Sequence, residues 1–430
     1  MIDPEIGFTS DVIKDPRRFV GRTDLIRKCV KALNSPLGLI AVFGKRGVGK
    51  SSLLRQLQQM ALGDYTLAKL AGIGREIPGR PRSYLTVFYS CDSMIEDGQS
   101  LLNRLCNDQN EEDGLLRLVP NDGKELTEFT RAKEVNAGAD LKVVNWGTRG
   151  VESSKYARVV ENDVVQTFRN FVSSIVQHQV HRRMKRDALL ILLDEFDVIR
   201  NKAGVGSLIK SLSSDQVKFA ICGIGRDLSD LVEDHGSVER LLEQGVVEVK
   251  PMSGPESAEI ISTAERLFQH KIQFAQEVTN SIAEICSGYP YFVQLIGKEC
   301  VSKANAKGKA FVDSGMYREV LEDIRSGRAF PTLETAYQRA IGNSPDRQLL
   351  LHLLADQPEE QMLFNEEVGR VLLRKVRKDA EDLSIQYMDQ LMPRLVEAKY
   401  GPVLVRVPEV QGVYEFTNPV FRLYVRLRRF

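Results

Sequence analysis

The chain has 430 residues, with 59 lysines and arginines against 58 aspartates and glutamates, a formal net charge of +1. Hydrophobic residues make up 43% and charged residues 27%, the proportions of an ordinary globular protein, which excludes a disordered or fibrous chain. The length suits two to three domains at roughly 150 residues each, and the near-neutral balance excludes a bulk polyanion binder.

In chain order, Thr23 to Leu33 predicts a helix, with Thr23 as its cap and Ile26, Val30 and Leu33 on one face. Leu39 to Phe43 predicts a strand that runs into a Gly-rich turn and a helix from Ser51 to Ala61. Tyr84 to Tyr89 reads as a strand buried on both faces. Residues 109–160 have no long apolar period and read as an insertion, which holds Trp146. A helical period returns from Asp163 to Val180, followed by strands Ala188 to Leu193, Lys218 to Gly223 and Val246 to Val249. Strands alternating with helices specify an α/β domain with a mainly parallel sheet, assigned to residues 1–250.

After Pro251 strands are expected to stop. Ser253 to Phe268, Phe274 to Ser287 and Pro290 to Ala304 read as helices of a lid over residues 251–330. In residues 331–430 short helices precede a hairpin-like pair, Val403 to Val407 and Gly412 to Phe416, and a last amphipathic segment. Helices followed by a small β-wing are the order of a winged-helix domain.

Two motifs carry chemistry. Gly44-Lys45-Arg46-Gly47-Val48-Gly49-Lys50-Ser51 fits G-x-x-x-x-G-K-[ST] in full, with a strand before it and a helix after it. Such a loop aims backbone N–H groups at phosphate, aided by the positive end of the new helix. Lys50 would reach the β- and γ-phosphates, the Ser51 hydroxyl would ligate Mg²⁺, and Ser52 follows on the same helix turn. The second motif, Leu189 to Leu193 followed by Asp194-Glu195, puts two carboxylates at the C-terminal edge of a buried strand, where ligands sit in open α/β sheets. Asp194 would hold Mg²⁺, and Glu195 would act as general base on the attacking water.

Together with Phe19-Val20-Gly21-Arg22 ahead of the first helix, these motifs resemble the AAA+/STAND branch of P-loop ATPases, nearest to the origin-recognition-like and archaeal-type groups. The resemblance covers about residues 8–300 and weakens toward residue 430. It implies an AAA+-like α/β P-loop NTPase with a helical lid and a winged helix, binding ATP and Mg²⁺ and hydrolysing slowly. By the same resemblance Phe19, Val20, Gly21 and Arg22 line the base pocket and Arg226 stands at the sensor 1 position. It also makes Arg240 an arginine finger for a neighbouring copy and brings Pro290, in Ser287-Gly288-Tyr289-Pro290, close to adenine. Where AAA+ relatives often carry a sensor 2 arginine, Tyr291-Phe292-Val293-Gln294 has none, a departure that favours a switch.

The partner is left open. The helix before the wing, Ile385 to Ala398, contains Pro393 and would offer Gln386, Gln390 and Arg394 to a major groove. Residues 331–430 hold 14 basic and 14 acidic residues, so any phosphate-binding surface must be local. Arg374-Lys375 with Arg377-Lys378, and Arg422, Arg426, Arg428 and Arg429, are the candidate patches. Three readings follow: a nucleotide-dependent switch, a DNA-directed ATPase of origin-recognition or transposition type acting on double-stranded DNA, and an ATP-bound module engaging a protein effector in signalling or anti-phage defence. A nucleotide-dependent homo-oligomer is compatible with all three.

No apolar run approaches the ~20 residues of a membrane span, and the N-terminus lacks a basic-then-apolar leader pattern. No membrane partner is expected. Cys29, Cys91, Cys106, Cys222, Cys286 and Cys300 form no CxxC pair, which predicts reduced, buried thiols and a cytoplasmic location.

Overall fold

The computed structural model describes residues 1–35, 38–107, 114–118, 164–233, 242, 245–357, 364–365, 368, 371, 391–407 and 410–428. They divide into a sheet unit, Ile13–Gly44 with Lys50–Val249, and a helical unit, Met1–Val12 with Lys45–Gly49 and Lys250–Phe430. Trp146 and most of the expected insertion lie outside the described residues, as do Arg240 and the Arg374 to Lys378 cluster.

The sheet unit is built on five parallel strands: β1 (Leu39–Gly44), β2 (Tyr84–Ser90), β3 (Ala188–Asp194), β4 (Val217–Ile224) and β5 (Val246–Glu248). Their order across the sheet is β2-β3-β4-β1-β5. All seven residues of β3 and all six of β1 are buried. This explains their unbroken apolar runs, since a parallel strand is covered on both faces. Each fully buried Leu or Ile side chain contributes about 1.5–3 kcal/mol through burial.

Helix α1 (Thr23–Asn34) precedes β1, and α2 (Lys50–Ala61) follows the Gly-rich turn. The expected cap of α1 is corrected: Arg22, not Thr23, is the N-cap, with φ 62°, and it makes no side-chain cap bond. Gly21 and Arg22 both adopt positive φ, so the backbone turn itself stops the helix. The C-terminal end of α1 is held by polar groups from the sheet. Lys218 Nζ donates to Ala32 O at 2.6 Å and Ser35 O at 2.7 Å. Tyr84 donates its hydroxyl to Leu33 O at 2.5 Å. The helix expected up to Val180 runs over Val164–Ser174 (α3) and widens into a π-helix over Ile175–Arg183.

In the helical unit, α4 (Gly254–Leu267) starts with a capping box between Ser253 and Glu256. Then come α5 (Gln276–Ile285), α6 (Pro290–Lys307), α7 (Ser314–Arg325), α8 (Pro331–Ile341) and α9 (Pro345–Ala355). The expectation that strands end at Pro251 is overturned by β6 (Gln273–Phe274) and β7 (Phe311–Val312), which pair in parallel. Two-residue bridges carry no period for a sequence to display. The N-terminal residues join this unit: Phe8 is fully buried, with ring centroids 6.0 Å from Phe268 and 5.9 Å from Phe274.

The expected hairpin is present as β9 (Leu404–Arg406) and β10 (Val413–Phe416), antiparallel, with β8 (Phe364–Asn365) on the far side of β10. The last segment is helix α10 (Pro419–Leu427). Of the helix expected from Ile385 to Ala398, Gln386 and Gln390 lie outside the described residues, and only 391–394 are described as helical. Its expected end is corrected. Leu395 N–H donates to Met392 O, and Val396 N–H donates to Pro393 O, so the chain closes in tight turns well before Ala398.

The expected basic tail patch is also corrected. Arg422 is 2% exposed and donates to Gln357 O. Arg428 lies 2.8 Å from Glu334 and donates to Arg325 O. These cations fasten α10 inward and are lost to any surface patch. Arg429 lies outside the described residues.

Candidate nucleotide site

In the sheet unit, β1 ends at Gly44 and α2 begins at Lys50, so the Gly-rich motif spans a strand-to-helix turn as its spacing predicts. Lys50 is 9% exposed and Ser51 is half-buried. Ser52 accepts a hydrogen bond from Ile13 N–H at 3.0 Å, and Gln56 donates to Ile13 O and Lys14 O. The Ser52 hydroxyl therefore helps to fix the segment leading to Phe19-Val20-Gly21-Arg22. In that segment Phe19, Val20 and Gly21 are half-buried and Arg22 is buried at 8% exposure.

Asp194 closes β3 and is buried at 7% exposure. Its Oδ1 accepts the N–H of Glu195 at 3.0 Å, and its carbonyl accepts the N–H of Cys91. Glu195 is exposed and takes the left-handed conformation, φ 52°, ψ 36°. That turn lifts its carboxylate out of the strand direction. A non-glycine residue held this way costs of order 1–3 kcal/mol and persists only where its surroundings dictate it.

The strand order puts β4 between β1 and β3. Register pairs Val42 with Cys222 and Leu193 with Ile221, which sets Asp194 in the row beside Cys222. The Cys222 thiol is pushed well above its ordinary value, first by burial and then by the charge and hydrogen bond of Asp194, with Lys50 opposing. Lys50, Asp194 and Cys222 therefore share one electrostatic neighbourhood. An ammonium sharing a neighbourhood with a carboxylate at a sheet edge, with the Ser51 hydroxyl next to Lys50 in sequence, is a donor set that suits a phosphate with a hard cation. Among the described residues no cluster of three or more His, Cys, Asp or Glu side chains is arranged as a dedicated metal cage.

A Gly-rich loop leaving β1, a second strand, β3, ending in paired carboxylates and the central strand β4 between them identify the architecture. The fold is that of a P-loop NTPase.

Of the other residues expected around this core, Arg226 is partly exposed and turned onto its own loop. Its N–H donates to Asp230 Oδ2 at 2.7 Å, and its Nε lies 3.7 Å from the same oxygen. In the helical unit, Lys45 is half-buried, Arg46 exposed and Val48 buried at 1%. Gly47 has φ 81°, and a Cβ there would come 2.9 Å from Val420 Cγ2 and 3.8 Å from Tyr291 Cβ. A Cβ on Gly49 would lie 3.7 Å from Pro290 Cγ. Pro290 occupies the first turn of α6, where it needs no N–H donor. Gln294, in the stretch without an arginine, is buried and accepts the N–H of Thr9 at 2.9 Å.

Three residues were not anticipated from sequence. Cys222 faces Asp194, Val420 faces Gly47, and Asp197 accepts the N–H of Ile224 at 2.8 Å. The second aspartate of Asp194-Glu195-Phe196-Asp197 was the only written signal of the three.

No protein-family model matches the chain, and no curated protein matches it. Among solved structures the chain is similar to a Walker-type ATPase of Pyrococcus abyssi, at 17% identity and TM-score 0.46, over 97% of this chain and 99% of that one. It is similar to the Aeropyrum pernix ORC1 protein in complex with DNA, at 11% identity and TM-score 0.47, over 99% and 96%. It is also similar to the Thermotoga maritima RuvB Holliday junction branch migration motor, at 14% identity and TM-score 0.41, over 95% and 96%. These are distant likenesses, and the functional reading rests on the chain's own residues.

Proposed function

We propose that the chain binds ATP with Mg²⁺ and hydrolyses it slowly, as a nucleotide-dependent switch. The observation that carries this reading is the pairing of buried Asp194 with exposed, left-handed Glu195 at the strand end, in the same charged neighbourhood as Lys50. Lys50 binds the outer phosphates and stabilises charge as it develops there. Asp194 and Ser51 would hold Mg²⁺, which supplies further charge neutralisation on the phosphate oxygens. Glu195 accepts a proton from the attacking water. Phe19 to Arg22 are assigned to the base, and Arg226 becomes available to phosphate on release from Asp230.

The closeness of Val420 in α10 to Gly47 supports coupling between loop and C-terminal helix. A nucleotide that rearranges the loop would then be felt at α10. The DNA-directed form of this reading draws on the β8-β10-β9 sheet. Arg422 and Arg428 do not serve it, because both are committed inside the protein.

The test is turnover and binding on the same preparations. Glu195→Gln should retain binding of a fluorescent ATP analogue and lose about 10²–10⁴-fold in turnover, whereas Lys50→Ala should lose binding. Equal turnover in wild type and Glu195→Gln would remove the hydrolysis reading. Duplex DNA that neither binds with salt dependence nor changes the rate would remove the DNA-directed form.

A further inference from the structure

The Asp194–Glu195 turn leaves an opening in the sheet. On one side of β4 the ladder continues to the end of β1, where Gly44 pairs with Ile224 and Gly225 N–H donates to Gly44 O. On the other side β3 gives its last pairing at Leu193 with Ile221, and the chain then turns away through Glu195. Successive N–H groups of a strand point to alternate sides, so Ile224 N–H faces the place that β3 has vacated. Asp197 fills it. The carboxylate, carried on the short 3₁₀ turn Phe196–Val198, accepts that N–H at 2.8 Å.

The packing has been made to fit. A Cβ on Gly223 would meet Asp197 Oδ1 at 2.7 Å and the Asp197 backbone nitrogen at 2.9 Å. Only a residue without a side chain lets the acidic turn come this close to β4. Phe196, beside Asp197, is fully buried and anchors the turn from below. Two residues beyond Ile224 stands Arg226.

We propose that Asp197 is a positioning residue of the nucleotide site: its carboxylate replaces the missing β3 partner of Ile224 and locks the Glu195 turn to the end of β4. The proposal rests on the hydrolysis reading above. Through this one bond the general base and the Ile224–Arg226 segment keep a fixed spacing, so a change at either end moves the other. The bond needs an acceptor oxygen and no charge. Asparagine keeps the oxygen and alanine does not.

The experiment compares full-length Asp197→Asn, Asp197→Ala and Gly223→Ala with wild type, reading kcat, KM, analogue binding and amide exchange at Ile224. Asp197→Ala and Gly223→Ala should lower kcat by roughly tenfold to a hundredfold, the scale of a small misplacement of a reacting group. KM and analogue affinity should stay within about twofold, because phosphate binding by Lys50 is left intact. Exchange at Ile224 should accelerate, and Asp197→Asn should restore both kcat and protection. If Asp197→Ala does not fold, the contrast between Gly223→Ala and Asp197→Asn carries the same information. Wild-type kcat in Asp197→Ala, or an asparagine variant as impaired as alanine, overturns the proposal while hydrolysis stands. A wild-type protein without Glu195-dependent turnover overturns the hydrolysis reading and the proposal with it.

Discussion

Lys218 shows how much one buried polar side chain controls in this fold. It sits at the start of β4, 3% exposed, with its nitrogen between Ala32 O and Ser35 O. A neutral amine has two N–H donors, enough for these two carbonyls, so loss of the third proton leaves both bonds intact. Burial, helped by the nearby charge of Arg82, lowers its pKa from the ordinary lysine value to about 7. The unfolded chain therefore holds this proton up to the usual lysine range, while the folded chain releases it near neutrality. Stability should climb as pH rises from about 7 toward 10.5 and carry the full penalty below 7. Chemical denaturation at several pH values checks this: Lys218→Met should flatten the slope, and an unchanged slope would show that other groups carry it.

Among the elements, β3 is both the most legible and the most exacting. Its seven consecutive residues are all buried, so Ile191→Ala, at a fully buried position, should leave a cavity and cost about 2–5 kcal/mol in denaturant unfolding. The same unbroken run made β3 readable in sequence, as it did β1, β2 and β4. Their observed ends exceed the expected ones by about a residue, because apolar runs mark burial and hydrogen-bonded ladders go slightly further. Local chemistry that depends on backbone conformation was not legible. Arg22 caps α1 because it and Gly21 turn left-handed, whereas Thr23 has the better capping side chain. Asp197 reads as one more loop acid until β4 is beside it. The motif residues Lys50, Ser51, Asp194 and Glu195 were found because phosphate chemistry restricts them to one spacing, while Arg226 depends on which way a loop side chain turns.

At the scale of the whole molecule, the charge balance of +1 conceals cations with fixed internal duties. Arg428 contacts Glu334 with side-chain exposures of 12% and 18%. Tyr424 also donates to Glu334, and the Arg428 guanidinium lies 5.0 Å from the Tyr337 ring centre. Glu334→Ala leaves a sheltered guanidinium without its counter-charge and should cost about 3 kcal/mol. Asp356→Ala, at the exposed end of a 4.0 Å contact with Arg426, should change stability by less than about 0.5 kcal/mol. Similar midpoints for the two in denaturant would show that the tail is not fastened this way. A sequence count of basic residues could not separate the two kinds of arginine, because the distinction lies in which face of α10 turns inward. The six cysteines have a consequence of another sort. All are buried and free of disulfides, and burial raises the thiols of Cys29, Cys91, Cys222, Cys286 and Cys300. The native chain is thus nearly silent toward alkylating reagents, which react with thiolates. Cys91 and Cys222 flank Asp194, one through the backbone and one through its side chain, so the chain carries its own chemical clock for every opening of the strand ends that hold its acidic pair.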